Sequence, residues 1–211
     1  MKACFVCESS GVMREAFRAL GHDAWSLDLL PADDGSPYHL QQDMRTADLS
    51  SFDFLGFHLP CTFVNGAGIH WNDRGRGWEK TEQAVEDARW AMSHQQPWYF
   101  ENPVGILSSR IRRPDIIIQP YEFGDDASKK TCLWLNQLSL PARNSTHRVA
   151  GRRVEWPKGS GNFFERWSNQ TDSGQNKLPP SIDRWKTRSR TYPGIARALA
   201  AQWGNPVLEL I

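Results

Sequence analysis

Short apolar runs alternate with amphipathic segments along the first half of the chain. The run KACFVC is typical of a buried strand. The segment SGVMREAFRALGH places apolar residues at helical spacing and ends at a glycine, with the apolar positions Val12, Ala16, Phe17 and Leu20 before Gly21. The run DAWSLDLL predicts a second strand, and the turn-rich PADDGSPYH follows it. A strand, a helix and a strand in this order indicate a parallel sheet.

The same alternation continues to the end of the chain. FDFLGFHL and PWYFENP are predicted to be strands, and EKTEQAVEDARWAMSH is amphipathic and long enough to be the crossover helix between them. DIIIQPYEF and TCLWLNQL predict two further strands. YPGIARALAAQWG predicts a closing helix, with Pro193 in its first turn and Gly204 at its end. The predicted fold class is α/β, with a doubly wound, mostly parallel, Rossmann-like sheet that carries helices on both faces.

Residues 141–180 differ from this pattern. They are rich in Gly, Ser, Asn, Arg and Trp and show little periodicity, so we expect an irregular, basic insertion. The remaining residues, 1–140 and 181–211, are expected to form one domain. Within the insertion, EWPKGSGNFFERW has two interpretations: its aromatic side chains could stack on unpaired bases, or they could form a small satellite core.

Charge is distributed unevenly along a chain of 211 residues whose net charge is only +1. Between Arg143 and Arg190 there are eleven Lys and Arg against four Asp and Glu, a net of +7, so the rest carries −6. This asymmetry is typical of a surface that binds a phosphate backbone, and a solvated basic loop is the alternative. The start, MKACFVCESS, does not have the pattern of a signal peptide, and no apolar run is long enough to span a membrane; a cytoplasmic location is expected.

Cysteine spacing raises the question of metal or redox chemistry. Cys4 and Cys7 form a C-x-x-C, but Cys61 and Cys132 have no neighbouring ligands and the six histidines form no zinc-binding spacing. The stretch CFVCESS also lacks the turn chemistry of a redox dithiol. We therefore expect no metal, and two small residues on a buried first strand.

Four loops are predicted to meet at the carboxyl edge of the sheet, where ligands bind in doubly wound folds. Gly11 in CESSGVM allows close approach of a ligand to the backbone. Asp28, about twenty positions later, is placed for ribose hydroxyls or, alternatively, caps its own loop. Asp43 could accept from an exocyclic amine. The pair Pro60-Cys61 ends the apolar run FHLPCTFV, and Cys61 is either a buried structural residue or a nucleophile.

Glu101 directly follows the apolar WYF. Partial burial would raise its pKa and suit it to protonate a ring nitrogen, whereas a loop salt bridge is the alternative role. Asn102-Pro103 would fix the direction of this loop. A thiol nucleophile with a nearby carboxylic acid is suited to attack on an electron-poor heterocycle.

The order of these motifs resembles the DNA cytosine-5 methyltransferase family. A glycine loop after strand one, an Asp after each of the next two strands, Pro-Cys after strand four and Glu-Asn after strand five occur in the family's order. The chain also resembles short methylase-like proteins common in bacteriophages, through GHDAWSLDLLPADDGSPYH, KTCLWL and RWKTRSRTYPGIARALAAQWG. If the chain is phage-encoded, the expected location is the host cytoplasm.

The resemblance implies a fold of the methyltransferase type and S-adenosylmethionine as cofactor, with S-adenosylhomocysteine as product. Cys61 would attack C6 of cytosine, Glu101 would stabilise the protonated N3, and C5 would take the methyl group; a base in duplex would first be flipped out. Ser189 to Tyr192 would line the cofactor pocket from the closing helix. The cofactor residues implied are Cys7, Glu8, Ser9, Gly11, Asp28, Leu29, Asp43, Met44, Pro60, Thr191 and Tyr192.

The chain departs from the family at two places. Lys129 takes the place of a base-contacting arginine, which makes it the third catalytic candidate, with a solvated lysine as the alternative. The insertion is too short for a full target recognition domain. DNA, duplex or single-stranded, is the expected partner, with a homo-oligomer or a second protein as a source of target recognition. Expected substrate contacts are Asn102, Pro103, Lys130, Arg148, Arg152, Arg153, Arg188 and Arg190. Thiol chemistry on another pyrimidine or free nucleotide, another C5 modification, and an inactive nucleic-acid-binding protein are the alternatives.

Overall fold

A seven-stranded mixed sheet forms the centre of the protein. The computed structural model describes residues 1–204; the final seven residues of the predicted catalytic domain lie outside the described residues. The strands are β1 (Lys2–Val6), β2 (Asp23–Asp28), β3 (His39–Gln41), β4 (Phe54–Phe57), β5 (Trp98–Pro103), β6 (Ile116–Ile118) and β7 (Thr131–Asn136). Their order is β3-β2-β1-β4-β5-β7-β6. The contacts of β1, β2, β3, β4 and β5 with one another are parallel, whereas β7 is antiparallel to both of its neighbours. The predicted α/β class with a mostly parallel sheet is confirmed, with β7 as the reversed strand.

Helices cover the sheet through two separate apolar clusters. They are α1 (Val12–Arg18), α2 (Glu79–Ala91), α3 (Leu107–Arg110), α4 (Arg184–Ser189) and α5 (Pro193–Trp203). Alternate residues of β1 enter different clusters: Ala3 and Phe5 pack with α1 and α5, whereas Cys4 and Val6 pack with α2. The period-2 alternation of a strand therefore gives this sheet two buried faces. Among residues 1–204, no helix combines the length and the apolar character needed to cross a membrane.

The apolar face predicted for the first helix is confirmed at Val12, Ala16 and Phe17, which pack against one cluster, but not at Leu20. The buried residues of the helix are Met13, Arg14 and Phe17, whereas Leu20 lies beyond the helix and is 46% exposed. Arg14 is fully buried because its guanidinium has polar partners on three sides: it donates to Ser26 Oγ at 2.7 Å and pairs with Glu15 and with Asp34. A buried charge is tolerated when it is paired and hydrogen-bonded in this way.

Residues 141–180 contain regular structure, which corrects the expectation of an irregular insertion. β8 (Arg152–Glu155) and β9 (Phe163–Arg166) form an antiparallel hairpin. Trp167 after the hairpin is buried, stacks on Tyr121 with the ring centroids 3.9 Å apart, and donates to the Val149 carbonyl at 3.0 Å. The satellite-core interpretation therefore holds for Trp167 alone, because the other aromatic residues of this stretch stay exposed.

Two further segments differ from their predictions. The strand predicted for DIIIQPYEF is only three residues long, because the chain turns into a 3-10 helix at Pro120–Phe123, where the proline has no N–H to donate to a sheet. The segment that precedes α5 contains the additional short helix α4, which its sequence pattern did not predict.

Candidate functional site

The strand order reverses direction between β1 and β4. From β1 the chain first adds β2 and β3 on one side and then β4 and β5 on the other. A crevice beyond the carboxyl ends of the strands is expected at such a reversal. The backbone continues to join both halves just past the strand ends: the His58 N–H donates to the Val6 carbonyl at 2.9 Å, and the Glu8 N–H donates to the Leu27 carbonyl at 3.2 Å. Side chains that follow β1, β2, β4 and β5 therefore share one edge.

Cys61 lies in a tight turn directly after β4 and is half-buried. Its carbonyl accepts hydrogen bonds from the Val64 N–H at 3.1 Å and the Asn65 N–H at 3.0 Å, so the backbone of the turn is fixed. Asn102 fixes it from the other side, because its side-chain amide donates to the Leu59 carbonyl at 3.0 Å. Asn102 is only 1% exposed. Asn102 thus positions the turn that carries Cys61, and its expected contact with substrate stays a prediction.

The electrostatic surroundings of Cys61 come from three distant parts of the chain. Burial raises the pKa of its thiol, and the Glu101 carboxylate raises it further, whereas Lys129 and Arg188 lower it. The net effect is a pKa above the ordinary value of 9.0. Cys61 is therefore a protonated thiol at neutral pH in the free protein, and it needs a partner that takes the proton when sulfur attacks.

Glu101 is a candidate for that partner, and its side chain is only 16% exposed. His58 Nδ1 lies 3.5 Å from Glu101 Oε2, and Lys129 Nζ lies 4.0 Å from Glu101 Oε1. Burial acts to raise the pKa of Glu101, but Lys129 and His58 outweigh it and hold the pKa below the ordinary value of 4.5. The expectation that burial leaves this pKa raised was therefore wrong. These two neighbours keep the carboxylate ionised, so that it can accept a proton.

Lys129 reaches this edge because β7 is antiparallel. It precedes β7 by two residues, and Thr131 at the start of β7 pairs with Pro103 at the end of β5. In a parallel strand the preceding loop would lie at the opposite edge of the sheet. The reversed strand thus brings the Lys129 ammonium to Glu101, while the neighbouring Lys130 is exposed.

His58 is a member of the site that sequence reasoning missed. It follows β4 directly, its side chain is 8% exposed, and its Nε2 lies 2.7 Å from the Tyr99 hydroxyl. The alternation in FDFLGFHL contains the signal, since His58 falls on the same face as Phe54, which packs in one cluster with Tyr99. His58 is therefore placed to hold both Tyr99 and Glu101.

A small cavity of about 20 Å³ borders this group. It is large enough for one water molecule. Polar side chains at its wall include His58, Glu101 and Lys129, together with Thr191 and Tyr192 from the start of the closing segment. The structure thus places Thr191 and Tyr192 beside the candidate catalytic group, although they were expected to line the cofactor pocket.

The expected cofactor residues after β1, β2 and β3 lie near one another. Cys7 Sγ is 3.8 Å from Met44 Sδ. Burial raises the pKa of Cys7 to about 12, and the carboxylate of Asp87 on α2 contributes to the increase together with the loop carboxylates of Asp28 and Asp43. Each carboxylate also accepts a backbone N–H of its own loop, Asp28 from Leu30 and Asp43 from Arg45. Two acidic groups therefore border this half of the crevice.

Hydrogen bonds of the Glu8 side chain fix the shape of the loop between β1 and α1. Glu8, expected to contact the cofactor, is 4% exposed and accepts from Ser10 Oγ at 2.9 Å and from the Met13 N–H at 3.0 Å. Burial raises its pKa. Glu8 thus shapes the loop, and its expected contact with the cofactor stays a prediction. Gly11 has a φ of +69°, and a Cβ there would lie 2.2 Å from Arg14 Nη2, so only glycine fits.

The remaining expected residues are dispersed. The Ser9 carbonyl accepts from the Asp33 N–H at 2.8 Å, Leu29 is 68% exposed, Pro60 is exposed and Pro103 is half-buried. Arg190 borders an open cleft between α1 and α5. On the hairpin segment, Arg148 pairs with Glu165, Arg152 Nη1 lies 2.6 Å from Asp172, and Arg153 lies over Phe163. Across residues 1–204, no hydrogen bond or ion pair joins these three arginines to Cys61, Glu101 or Lys129.

Residues 1–204 contain no cluster of three or more His, Cys, Asp or Glu side chains that could hold an ion. All four cysteines are free thiols.

No protein-family model matches the chain, and no curated protein matches it. What the site can do is therefore inferred from the chemistry and placement of its own residues.

Replacing His58 by asparagine is expected to raise the pKa of Glu101. The variant keeps a polar side chain but removes one of the two groups that oppose the effect of burial on the carboxylate. The measurement is a ¹³C NMR titration of labelled glutamate carboxyls, with the Glu101 signal assigned by its loss in Glu101→Gln. His94→Asn is the matched control, because His94 contacts backbone carbonyls of α2. An unchanged Glu101 pKa in His58→Asn would show that Lys129 alone keeps it ionised.

Proposed function

We propose that the protein is a DNA cytosine-5 methyltransferase that uses S-adenosylmethionine and a covalent Cys61 adduct. One observation carries the proposal. Glu101 on β5 lies 4.0 Å from Lys129 before β7, and the neighbouring Asn102 holds the turn that carries Cys61, all at the edge of the sheet beside the strand reversal. This is the set that the resemblance implied for attack on a pyrimidine. In this proposal the mixed sheet is a doubly wound methyltransferase fold.

The proton balance of the first step follows from these residues. When the Cys61 sulfur forms a bond to C6 of cytosine, the thiol loses its proton and N3 of the ring gains one. Glu101 is ionised before the reaction, so it can accept the thiol proton and pass it to N3. Net charge in the buried site stays constant, and Lys129 stabilises the carboxylate throughout. After C5 has taken the methyl group, water accepts the C5 proton, the C5–H electron pair re-forms the C5–C6 double bond, and the sulfur leaves C6 as a thiolate. The N3 proton then returns to the sulfur through Glu101, which restores the starting protein.

The first half of the crevice fits the proposed cofactor. Asp28 and Asp43 are the acceptors for ribose hydroxyls and an exocyclic amine, and the positive φ of Gly11 lets the backbone approach a ligand. Cys7 occupies a left-handed position, with a φ of +58°, in a loop where the family has small residues. S-adenosylmethionine bound there would supply an electrophilic methyl group. Bound between these residues and Cys61, it would face the attacked ring.

The direct test is methyl transfer. The protein is incubated with S-adenosylmethionine carrying a labelled methyl group and with single-stranded DNA, duplex DNA or free deoxycytidine nucleotides, and nucleosides are then identified by mass. Labelled 5-methylcytosine in either DNA sample supports the proposal. A substrate-free incubation and a Cys61→Ser protein are the controls. Absence of 5-methylcytosine from both kinds of DNA would overturn it.

Thiol chemistry on another pyrimidine or a free nucleotide is a second candidate. The observation that favours it is the small insertion, whose regular structure is one two-stranded hairpin and a short 3-10 turn. A labelled free nucleotide with unlabelled DNA would select this candidate. Target recognition by a second protein or a second copy of the chain is the corresponding proposal if DNA is methylated only in the presence of a partner.

A further inference from the structure

The basic part of the chain exposes several aromatic and aliphatic side chains. Trp156 is 42% exposed, Phe163 51%, Phe164 44%, Ile182 89% and Trp185 58%. All five lie between Arg143 and Arg190, the segment with a net charge of +7. Flat apolar groups interleaved with cations are the pattern of surfaces that bind unpaired nucleic acid.

The hairpin of β8 and β9 exposes aromatic residues on both of its faces. Val154 pairs with Phe164 and Glu155 with Phe163, so the two phenylalanines point to opposite sides. Each one has an arginine over its ring: Arg153 lies 4.1 Å from the centroid of Phe163, and Arg166 lies 4.8 Å from that of Phe164. A hairpin that only completed a core would bury one face. This one presents a cation and an aromatic ring together on each side.

The segment 181–190, which we call the strap, presents a second such surface beside the candidate site. It contains α4, with Trp185 and the cations Lys186 and Arg188. Lys186 Nζ lies 2.7 Å from Asp33 Oδ1 in the loop that follows β2. The strap leads directly into Thr191 and Tyr192, which border the cavity beside Glu101 and Lys129. The strap therefore extends from the loop after β2 to the cavity beside the candidate catalytic group.

The hairpin is physically joined to the catalytic edge. Asn169, three residues after β9, exchanges two hydrogen bonds of 2.9 Å with the backbone of Ser128, the residue before Lys129. Its side-chain amide also lies 3.5 Å from the hydroxyl of Tyr192, which borders the cavity beside Glu101. A nucleic-acid strand bound to the hairpin would thus lie on a segment that is hydrogen-bonded to the loop of Lys129.

We propose that the hairpin and the strap bind single-stranded DNA, so that an unpaired cytosine is delivered to Cys61. Base faces are available for stacking on Trp185 and the two phenylalanines only when they are not stacked inside a duplex. The backbone phosphates match the arginines, and an unpaired base does not have to be flipped out. The delivery of cytosine rests on the proposed function, whereas the binding of the strand does not.

Binding is measured by fluorescence anisotropy with the full chain and labelled oligonucleotides of one sequence as single-stranded DNA, duplex DNA and single-stranded RNA. We expect the single-stranded DNA to bind at least about tenfold more tightly than the duplex and the RNA. Trp185→Ala and Phe163→Ala should each weaken its binding by about 10-fold to 100-fold, the range for loss of one stacked base, and Trp185→Phe should restore most of it. Arg153→Gln should reduce the slope of log affinity against log salt by about 0.7.

Tyr38→Ala is the matched control. Tyr38 is also an exposed aromatic residue beneath an arginine, with Arg18 3.2 Å from its ring centroid, but it precedes β3 and lies at the opposite edge of the sheet. The Tyr38→Ala protein should bind single-stranded DNA with the same affinity as the unsubstituted protein. Circular dichroism and thermal unfolding of each variant separate loss of contact from loss of fold.

The outcomes distinguish this proposal from the proposed function. Equal or tighter binding of duplex or RNA, or affinity that Trp185→Ala and Phe163→Ala leave unchanged, would overturn it. If single-stranded DNA binds with the expected variant effects but no methyl group is transferred, the proposed DNA-binding surface is supported and the proposed methyltransferase activity is refuted. Methylation confined to duplex DNA would support the proposed methyltransferase activity and refute the binding of single-stranded DNA by the hairpin and the strap.

Discussion

Replacing Cys61 by serine is expected to lower the rate of cytosine methylation by about 10⁵-fold or more, the size of the loss when a catalytic nucleophile is removed. A serine hydroxyl is far less acidic than a thiol, so Glu101, whose pKa is held below its ordinary value, is too weak a base to activate it. The turn itself should persist, since it is fixed by the backbone carbonyls of Leu59 and Cys61. The rate is measured as labelled methyl incorporated into DNA.

A covalent trap tests the same step without depending on turnover. In the presence of S-adenosylmethionine, C5 of 5-fluorocytosine takes the methyl group after sulfur has bonded to C6. The product has no C5 proton to lose, so the sulfur should remain bonded to C6 and the protein should migrate as a larger species in a denaturing gel. Cys61→Ser should give no such species. Cys4→Ala is the control, because Cys4 is buried in the core on β1 and should still give the adduct. Full activity or an adduct in Cys61→Ser would refute the covalent mechanism.

The position of the candidate site could be predicted where it depends on strand ends. Asp28 and Cys61 each come directly after an apolar run, and Glu101 follows WYF; parallel strands bring such positions to one edge. For these residues the local pattern of apolar and polar positions was sufficient to predict the edge at which they lie. The same pattern predicted α2 between β4 and β5 and α5 at the end of the chain, because both have helical periodicity over several turns.

The environment of these residues could not be predicted, because it depends on contacts between distant segments. The low pKa of Glu101 follows from His58 and Lys129, and Lys129 is present only because β7 is antiparallel. Arg14 interrupts the apolar face of α1 because Asp34, twenty residues later, pairs with it. The hairpin has no apolar alternation that distinguishes an inner from an outer face, because aromatic residues occupy both of its faces. In each case the physical reason is a partner that local periodicity does not contain.

The Glu101→Gln variant is expected to lose about 10²-fold to 10⁴-fold of kcat/KM, the contribution of a positioned acid or base. Glutamine has nearly the same size and can still contact N3, but it cannot carry the thiol proton to the ring. Glu82→Gln is the matched control, because Glu82 forms a surface ion pair with Arg110 on the outside of α2. A loss of less than about threefold in Glu101→Gln would refute proton transfer through this residue.

The pH dependence gives the sharper test, because its two limits have assigned causes. In the reactive form of the free protein, Cys61 and Glu101 together carry one proton, which is on the thiol. Below the pKa of Glu101, which is under 4.5, both groups are protonated; above the pKa of Cys61, which is over 9.0, neither is. We therefore expect kcat/KM to be level across neutral pH and to fall at both low and high pH. The two apparent pKa values of this profile describe Cys61 and Glu101 as a coupled pair.

In Glu101→Gln the acid limit should disappear and the pKa of the Cys61 thiol should fall. The carboxylate is one of the causes that raise the pKa of Cys61, so its removal lets Lys129 and Arg188 stabilise the thiolate without that opposition. The Cys61 pKa is measured by the absorbance of the thiolate in the free protein, taken as the difference from the same protein with Cys61→Ser. If this pKa stays where it is in the unsubstituted protein, Glu101 does not act on Cys61 and the two residues do not share a proton.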